Sequence, residues 1–329
     1  MHQTTPPPLQ HPLVKLGGWL QNNGYRFVTP TPLTHARVNA REPLEARNLR
    51  DIFGWSRPFR AALLPAPALT WLDEAGMLDT AGGLLSSKVR FSSLGDQLYA
   101  HSAYPTHDAD SVFFGPDTYR FANLIANELA VEPLKPGARI LDIGCGAGPG
   151  GISAVLASIG TPQLVLADIN PTALQFANAN AALAGIASVD LRESDLFAEV
   201  PGNFDLIVSN PPYLVDAAAR TYRHGGGALG SSLSERILLQ GMAHLAPGGR
   251  LMLYTGAAIV EGEDAFLQCV QAPLSGNAWP FRYRELDPDV FGEELDSATY
   301  AHVERIAVVA LIVQRPGEVS FCSPATDRT

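Results

Sequence analysis

The feature that most constrains the fold is a strand that runs directly into a glycine loop. Residues 140–148 read Ile-Leu-Asp-Ile-Gly-Cys-Gly-Ala-Gly, so an aliphatic segment is followed by Gly144, Gly146 and Gly148 and then by a helical pattern. Glycine adopts left-handed backbone conformations and lets a ligand approach the chain closely. A strand, a glycine loop and a helix in this order predict the nucleotide-binding corner of an open α/β sheet.

Strands and helices alternate over the carboxyl-terminal two thirds of the chain. Hydrophobic periodicity predicts strands at 139–143, 163–167, 189–193, 204–209, 250–254, 282–286 and 305–313. Helices are predicted between them, at 118–131, 150–159, 171–183, 234–244 and 261–271. This alternation predicts an α/β fold of the Rossmann-like type, with a seven-stranded, mostly parallel, doubly wound sheet and helices on both faces.

The amino-terminal third has a different pattern. Residues 12–60 predict short helices, including one that starts near Pro43, and residues 66–75 predict another. Two strands follow, at 84–91 and 97–103. The order suits a smaller α+β domain of winged-helix-like type. We therefore expect a target-recognition domain over 1–105, a catalytic domain over 106–315 and a flexible tail over 316–329, with a Pro-rich leader before residue 13 that is no secretory signal.

Charge is distributed unevenly between these parts. The net charge is −10, but residues 1–105 hold ten basic and seven acidic side chains, whereas the remainder holds 13 basic and 26 acidic ones. Seven arginines fall between Arg26 and Arg60. Such a module could face an anionic partner such as RNA. A solvated helix face, interrupted by Glu42, Glu45 and Asp51, is the simpler explanation.

Composition excludes several classes of protein. Hydrophobic residues make up 46% and charged residues 17%, as in ordinary globular proteins. The longest aliphatic run, residues 306–313, is too short to cross a bilayer, so no membrane association is expected. The three cysteines are scattered without metal-ligand spacing, which predicts no metal site and a cytoplasmic location. No pattern indicates an oligomeric state.

Two carboxylates narrow the choice of ligand. Asp168 ends the strand after the glycine loop, where a carboxylate accepts the ribose hydroxyls of a nucleoside. Dinucleotide enzymes use the same arrangement, so Asp168 alone does not identify the cofactor. Asp142 precedes the loop, and its negative charge suits the sulfonium and amino groups of S-adenosylmethionine but not a pyrophosphate. The sequence therefore favours S-adenosylmethionine over NAD.

A third acidic residue follows the next strand. Asp195 could accept the adenine amine, although a turn residue is the alternative. The complete set of predicted cofactor-binding residues is Asp142, Gly144, Cys145, Gly146, Gly148, Asp168, Ile169, Asp195, Leu196 and Asn210. Cys145 is expected to be a small loop residue rather than a catalytic thiol.

The tetrapeptide Asn210-Pro211-Pro212-Tyr213 is the predicted catalytic segment. It follows the strand at 204–209, so it lies at the carboxyl edge of the sheet, where ligands bind. The Asn210 side-chain oxygen and the Pro211 carbonyl can each accept one N–H of a planar NH2 group. Two successive prolines stiffen the loop, and Tyr213 offers a flat face for stacking. A Pro-rich turn with a core tyrosine is the alternative.

These segments resemble the class I S-adenosylmethionine-dependent methyltransferases, and within them the HemK/PrmC-like small methyltransferases with an Asn-Pro-Pro-Tyr motif. The resemblance covers about residues 110–315. It implies that Phe114, Pro116, Asp117 and Thr118 help to close the site, although Asp117 and Thr118 could simply cap the following helix. Residues 222–230 resemble the Gly-rich loop of glutamine methyltransferases. There are two departures from the family. Gly115 stands where relatives often have Glu before the proline, and residues 1–105 do not look like the all-helical front domain of release-factor methyltransferases.

The leading hypothesis is an N-methyltransferase that acts on a planar NH2 group of a macromolecule. The resemblance implies the side-chain amide of a glutamine in a translation-related protein, such as a release factor or a ribosomal protein. The alternative substrate is an exocyclic base amine, of adenine or guanine, in RNA or DNA. Alternatives of other classes are an inactive methyltransferase fold that binds RNA or protein, and an NAD-dependent oxidoreductase.

Overall fold

The amino-terminal part consists of short helices followed by two hairpins. The computed structural model describes residues 10–106, 108–215, 222–277 and 279–317, so the start of the predicted leader and most of the predicted tail lie outside the described residues. The elements of the amino-terminal part are α1 (Pro12–Asn22), α2 (Pro32–Asn39), α3 (Leu49–Phe53), a 3-10 turn at Ala61–Leu63, α4 (Ala66–Glu74), β1 (Leu78–Ala81), β2 (Leu84–Ser87), β3 (Val89–Leu94) and β4 (Gln97–Ser102). β1 pairs with β2, and β3 pairs with β4.

The carboxyl-terminal part is a sheet with helices on both faces. Its helices are α5 (Pro116–Val131), α6 (Pro149–Leu156), α7 (Pro171–Leu183), α8 (Ser232–Ala243) and α9 (Ala265–Asn277). Its strands are β5 (Arg139–Ile143), β6 (Gln163–Asp168), β7 (Asp190–Glu193), β8 (Phe204–Ser209), β9 (Leu245–Val260), β10 (Glu263–Asp264), β11 (Phe281–Asp287) and β12 (Arg305–Gln314), with 3-10 turns at Gly292–Asp296 and Ala298–Tyr300.

The strand order is β11-β12-β9-β8-β5-β6-β7, with β10 paired to β9. β5 is parallel to both β6 and β8, whereas β11 and β12 run antiparallel to their neighbours. The chain moves outward from β5 through β6 to β7, and then returns to the other side of β5 for β8. A ligand crevice is expected outside the carboxyl ends of the strands at such a switch point. The predicted seven-stranded, mostly parallel sheet is confirmed, and β10 is a short eighth strand.

The central strands are buried on both faces because helices cover the sheet from both sides. In β5, Ile140 contributes to the core on one face, whereas Leu141 and Ile143 contribute to the core on the other. This explains why Ile140, Leu141 and Ile143 are aliphatic on both faces of the strand, with only Asp142 interrupting them. The fixed ends of these strands position the loops that carry the predicted site.

The amino-terminal part packs directly on α7. The Asn180 side chain accepts a hydrogen bond from the Ala100 N–H (2.7 Å) and donates to the carbonyls of Ala100 and Ala147 (both 2.9 Å). Gly17 of α1 lies so close to α7 that a Cβ there would be 2.6 Å from a Leu183 methyl group. Asn180 thereby links the β4 hairpin to the glycine loop. The division into domains at residue 105 stays a prediction.

Some predicted elements differ in detail. The predicted strand at 84–91 is two strands, because residues 84–87 pair with β1 whereas the residues from Val89 onward pair with β4. The predicted helix near Pro43 forms only from Leu49, because Asn48 is extended and its side chain accepts from the Asp51 N–H, which starts the helix there. The winged-helix-like comparison stays a prediction, since the strands form two separate hairpins.

No helix within the described ranges combines the length and apolar character that a bilayer crossing requires. Among the same residues, no cluster of His, Cys, Asp and Glu side chains could hold a metal ion. The cytoplasmic location stays a prediction.

Candidate active site

A cavity of about 350 Å³ opens at the carboxyl ends of the central strands. Four loops meet there because parallel strands end at the same edge of the sheet. The loops follow β5, β6, β7 and β8, and their lining residues lie within 142–150, 168–173, 194–196 and 210–214. The predicted cofactor loop and the predicted catalytic tetrapeptide therefore share one cavity.

The glycine loop is held in left-handed conformations. The φ angles of Gly144, Gly146 and Gly148 are 65°, 53° and 81°. Gly148 is also the N-cap of α6, and a Cβ there would lie 3.2–3.3 Å from Ile152, Ala177 and Leu166. Gly148 itself does not line the cavity, so its role is to turn the chain into the helix. The other predicted loop residues, including the buried Cys145, do line it.

Asp168 connects two loops of the cavity. Its carboxylate accepts hydrogen bonds from the Gly146 N–H (2.8 Å) and the Asn170 N–H (2.9 Å). Burial raises the pKa of Asp168, and these two bonds oppose the shift. Asn170 caps α7, because its side chain accepts a hydrogen bond from the Thr172 N–H. Asp168 thus faces the cavity from a fixed position at the end of β6.

Asp142 is a buried carboxylate with 2% exposure. One of its oxygens accepts a hydrogen bond from the Gly151 N–H (2.7 Å) at the start of α6. Burial, with a smaller contribution from the charge of Asp168, raises the pKa of Asp142 to about 7. No Lys, Arg or His side chain in the described ranges pairs with it. A cationic ligand in the cavity would compensate this charge.

The remaining predicted cofactor residues also lie at the cavity. Ile169 is 54% exposed, and Leu196 is buried with a left-handed φ of 53°. Asp195 lines the cavity but is largely exposed, and one of its oxygens lies 3.4 Å from the Arg236 guanidinium. Asp195 therefore has a competing cationic partner, unlike Asp142.

Asn210 lines the cavity, and its side-chain amide has no hydrogen-bond partner among the described residues. It follows Ser209, whose hydroxyl donates to Ile143 O (2.7 Å) and fixes the end of β8 beside β5. Within the described parts of the chain, no group donates to or accepts from the Asn210 amide. Pro211 and Pro212 line the same wall. A free amide and an adjacent carbonyl can accept two hydrogen bonds from one ligand group.

Tyr213 has a packing role in the structure. Only 7% of it is exposed, and a Cβ on Gly256 would lie 2.2 Å from its ring. Phe291 contacts its ring edge-on, with centroids 5.9 Å apart. Glycine at position 256 lets the ring pack into the core, and Tyr213 also lines the cavity, so its role as a stacking surface stays a prediction.

Asp117 fixes the tetrapeptide from the other side of the cavity. Its carboxylate accepts hydrogen bonds from the hydroxyls of Tyr213 (2.6 Å) and Tyr254 (2.8 Å). Burial, together with this carboxylate, raises the pKa of both tyrosines. Thr118 instead forms the helix cap, accepting from the Gly115 N–H (3.2 Å). Asp117 therefore joins α5, β9 and the predicted catalytic loop.

Two of the predicted closure residues do not reach the cavity. Phe114 is buried against Tyr99 and His101, and Pro116 begins α5. The neighbouring Phe113 lines the cavity instead, together with Asp117 and Thr118. Tertiary packing decides which side chains of this segment face the cavity, and the sequence pattern does not show which they are.

Sequence reasoning missed several residues of the site, and three of them matter most for its structure. Pro32 from the amino-terminal part and Phe291 from the segment after β11 both line the cavity, and Tyr254 supports it through Asp117. Phe291 has a left-handed φ of 54°, which is uncommon for a bulky side chain. No local motif marks any of the three, because each reaches the site through the fold.

Comparison with known proteins identifies the family to which the domain with this cavity belongs. Residues 120–260 match the family model of the methyltransferase small domain. The chain carries a class I methyltransferase domain of the HemK/PrmC-like group. The cofactor of this domain is S-adenosylmethionine, and the carboxylates of Asp142 and Asp168 that line the cavity fit it.

The relatives fall into two classes by name. A release factor glutamine methyltransferase from Deinococcus radiodurans is 34% identical over 200 residues, covering 57% of this chain and 66% of that protein. A ribosomal RNA small subunit methyltransferase C from Klebsiella pneumoniae is 31% identical over 171 residues, covering 46% of this chain and 45% of that protein. The chain spans about half to two thirds of the length of the curated relatives it matches first.

Among solved structures, a T. thermophilus 16S rRNA N2 G1207 methyltransferase in complex with AdoMet and guanosine is similar, with a TM-score of 0.44 and 15% identity. The similarity covers 78% of this chain and 63% of that one.

Proposed function

We propose that this chain is an S-adenosylmethionine-dependent N-methyltransferase that acts on a planar NH2 group of a macromolecule, namely the side-chain amide of a protein glutamine. The observation that carries the proposal is the Asn210 amide beside Pro211, which lines the same cavity as Asp142 and Asp168 and has no hydrogen-bond partner in the described part of the chain. An acceptor group and a nucleoside ligand can therefore lie against one another in a single space.

Four loop segments would hold the cofactor. Asp168 would accept the ribose hydroxyls, Asp142 would face the cationic end, and Asp195 with Leu196 would contact the adenine. When bound, S-adenosylmethionine supplies an electrophilic methyl group. The left-handed glycines keep side chains out of the space that the nucleoside needs.

The tetrapeptide would orient the acceptor. An amide nitrogen is a weak nucleophile because its lone pair is delocalised. The Asn210 oxygen and the Pro211 carbonyl would each accept one N–H, which points the lone pair toward the methyl donor and stabilises positive charge on the nitrogen. The proton can leave to water after transfer, so the site needs no strong base. The Asp117–Tyr213 hydrogen bond holds the tetrapeptide in place.

The Gly-rich loop supports glutamine as the acceptor. Its Gly225 N–H donates to Leu214 O (2.8 Å), and a Cβ on Gly225 would lie 2.6 Å from Pro212 O. The loop thus packs directly on the tetrapeptide, where only glycine fits. The higher identity to release factor glutamine methyltransferases points in the same direction.

An exocyclic base amine is the second candidate acceptor. Phe113 and Tyr222 line the cavity with their rings stacked, 6.0 Å between centroids and 13° between planes. Aromatic side chains of this kind provide stacking surfaces for bases. The Klebsiella pneumoniae relative, named as an rRNA methyltransferase, agrees with this candidate.

The alternatives of other classes have less support. The intact Asn210 and Asp168 argue against an inactive binding module. The match to a methyltransferase domain leaves an NAD-dependent oxidoreductase without support.

The fate of a transferred label tests the proposal. A bacterial cell extract is incubated with the protein and radiolabelled S-adenosylmethionine, and then treated with protease or ribonuclease. We expect label that survives ribonuclease, is lost with protease, and is recovered as methylglutamine after complete proteolytic digestion. Label lost with ribonuclease would establish the base amine instead. No transferred label under any treatment would contradict both candidates.

Asp142 should make cofactor affinity depend on pH. Without ligand its pKa is about 7, so below that value it is mostly protonated. A bound cation favours the ionised form and lowers the pKa, so affinity should rise with pH up to about 7 and level off above it. Calorimetry should show S-adenosylmethionine affinity rising about tenfold from about pH 6 to about pH 8.

Two controls isolate the carboxylate. Asp142→Asn should remove the pH slope, and adenosine, which has no cationic group, should bind with little slope to the unmodified protein. An equal slope for adenosine and S-adenosylmethionine would contradict an interaction between Asp142 and the cationic end.

A further inference from the structure

An exposed apolar and basic stripe begins at the mouth of the cavity. It consists of Val28, Leu33, Arg37 and Arg41, and Pro32, between the first two, lines the cavity itself. Val28 is 68% exposed and Leu33 is 56% exposed. Two exposed apolar side chains beside a cavity-lining residue offer apolar contact area to a bound partner.

The segment that carries Val28 is anchored on both sides. The Phe27 carbonyl accepts from the Ser93 N–H (2.7 Å), and the Thr29 N–H donates to the Tyr119 hydroxyl (2.9 Å) of α5. Phe27 and Thr29 are buried. Because side chains alternate along an extended chain, Val28 is held outward by its neighbours.

Two further residues of the stripe lie on one face of α2, because Leu33 and Arg37 are spaced four residues apart and so lie about 6 Å from one another along the helix axis. Arg41 follows just after the end of the helix and is exposed. His35 is buried on the opposite face, where its ring contacts Trp55 and Tyr104. This buried contact fixes the rotation of α2 and keeps the stripe in solvent.

Among the described residues, no acidic side chain lies within ion-pair distance of Arg37 or Arg41. Arg26 and Arg60, by contrast, pair with Asp96 and Glu45. The stripe therefore presents two exposed positive charges beside an exposed apolar surface.

We propose that this stripe docks an acidic, partly apolar segment of the protein substrate and so delivers the acceptor glutamine to the cavity. The inference rests on the proposed function. Val28 and Leu33 add apolar contact that a phosphate backbone does not use. RNA carries a charge at every nucleotide and would be repelled along its length by residues 106–329, with 13 basic against 26 acidic side chains. A folded protein needs acidic groups only opposite the stripe.

Direct binding tests the surface independently of catalysis. The probes are a fluorescent synthetic peptide of glutamate and leucine with one central glutamine, and a single-stranded RNA of equal length. We expect the full-length protein to bind the peptide more tightly than the RNA. The variant Leu33→Ser/Arg37→Glu/Arg41→Glu should lose at least about tenfold in peptide affinity, because charge reversal replaces attraction with repulsion. Added salt should weaken binding to the unmodified protein.

The matched control is Val131→Ser/Lys135→Glu. Both residues are exposed and lie before β5, at the edge of the sheet opposite the cavity, so peptide affinity should not change. Unchanged affinity for S-adenosylhomocysteine would show that every variant keeps its fold. Weak peptide binding by the unmodified protein, tighter RNA binding, or peptide binding that survives the triple substitution would overturn the inference.

The same variants separate this inference from the proposed function. In the extract assay, the stripe variant should label protein at least about tenfold more slowly at limiting acceptor than the control variant does. If the unmodified protein transfers no label while the stripe still determines peptide affinity, the proposed reaction is wrong and the docking surface stands.

Discussion

Replacement of Asn210 by alanine is expected to lower kcat for methyl transfer by about 10²- to 10³-fold, the usual cost of removing one oriented hydrogen-bonding group from a reaction centre. The Asn210 amide has no hydrogen-bond partner in the described residues, so its loss removes an interaction with the acceptor rather than a structural bond. S-adenosylhomocysteine affinity should change far less than kcat, because Asp142 and Asp168 remain. Single-turnover kinetics with labelled cofactor measures the rate.

The control is Asn203→Ala. Asn203 is exposed and lies before β8, at the opposite end of the strand that leads to Asn210. It should leave both the transfer rate and cofactor affinity unchanged. If Asn210→Ala transferred methyl groups at the unmodified rate, the orientation of the acceptor by this amide would be refuted.

The sheet and the cofactor loops could be predicted because their determinants are local. The central strands are mostly aliphatic and end at or next to a polar residue, as at Asp168 and Ser209, and parallel pairing brings those ends to one edge. The glycine spacing depends on backbone conformation within five residues, and all three glycines are left-handed. Asp142 and Asp168 lie at or next to these strand ends, so their positions at the cavity could be predicted in the same way.

The support of the tetrapeptide could not be predicted in this way. Tyr213 packs on Gly256 and bonds to Asp117, which are 43 residues after it and 96 residues before it. In the sequence, Gly256 is one glycine within an apolar strand, and its contact with a ring exists only after β9 has paired. Similarly, Pro32 reaches the cavity only because Asn180 and Leu183 hold the amino-terminal part against α7.

Asp117→Ala is expected to cost both stability and activity. Two buried tyrosine hydroxyls, those of Tyr213 and Tyr254, would lose their acceptor, and at about 1–3 kcal/mol each the free energy of unfolding should fall by roughly 2–6 kcal/mol. Tyr213 would also lose the bond that fixes the tetrapeptide, so the transfer rate should fall at saturating cofactor. Urea unfolding and single-turnover kinetics measure the two effects.

Two further variants separate positioning from general stability. Asp264 accepts a hydrogen bond from the Tyr283 hydroxyl (2.6 Å) at the outer part of the sheet, so Asp264→Ala should lower stability without slowing transfer. Tyr254→Phe leaves the Asp117–Tyr213 hydrogen bond intact and should keep most of the transfer rate. Tyr213→Phe removes that hydrogen bond and should lose most of the transfer rate. If Asp117→Ala slowed transfer no more than Asp264→Ala, Asp117 would stabilise the fold without positioning the acceptor loop.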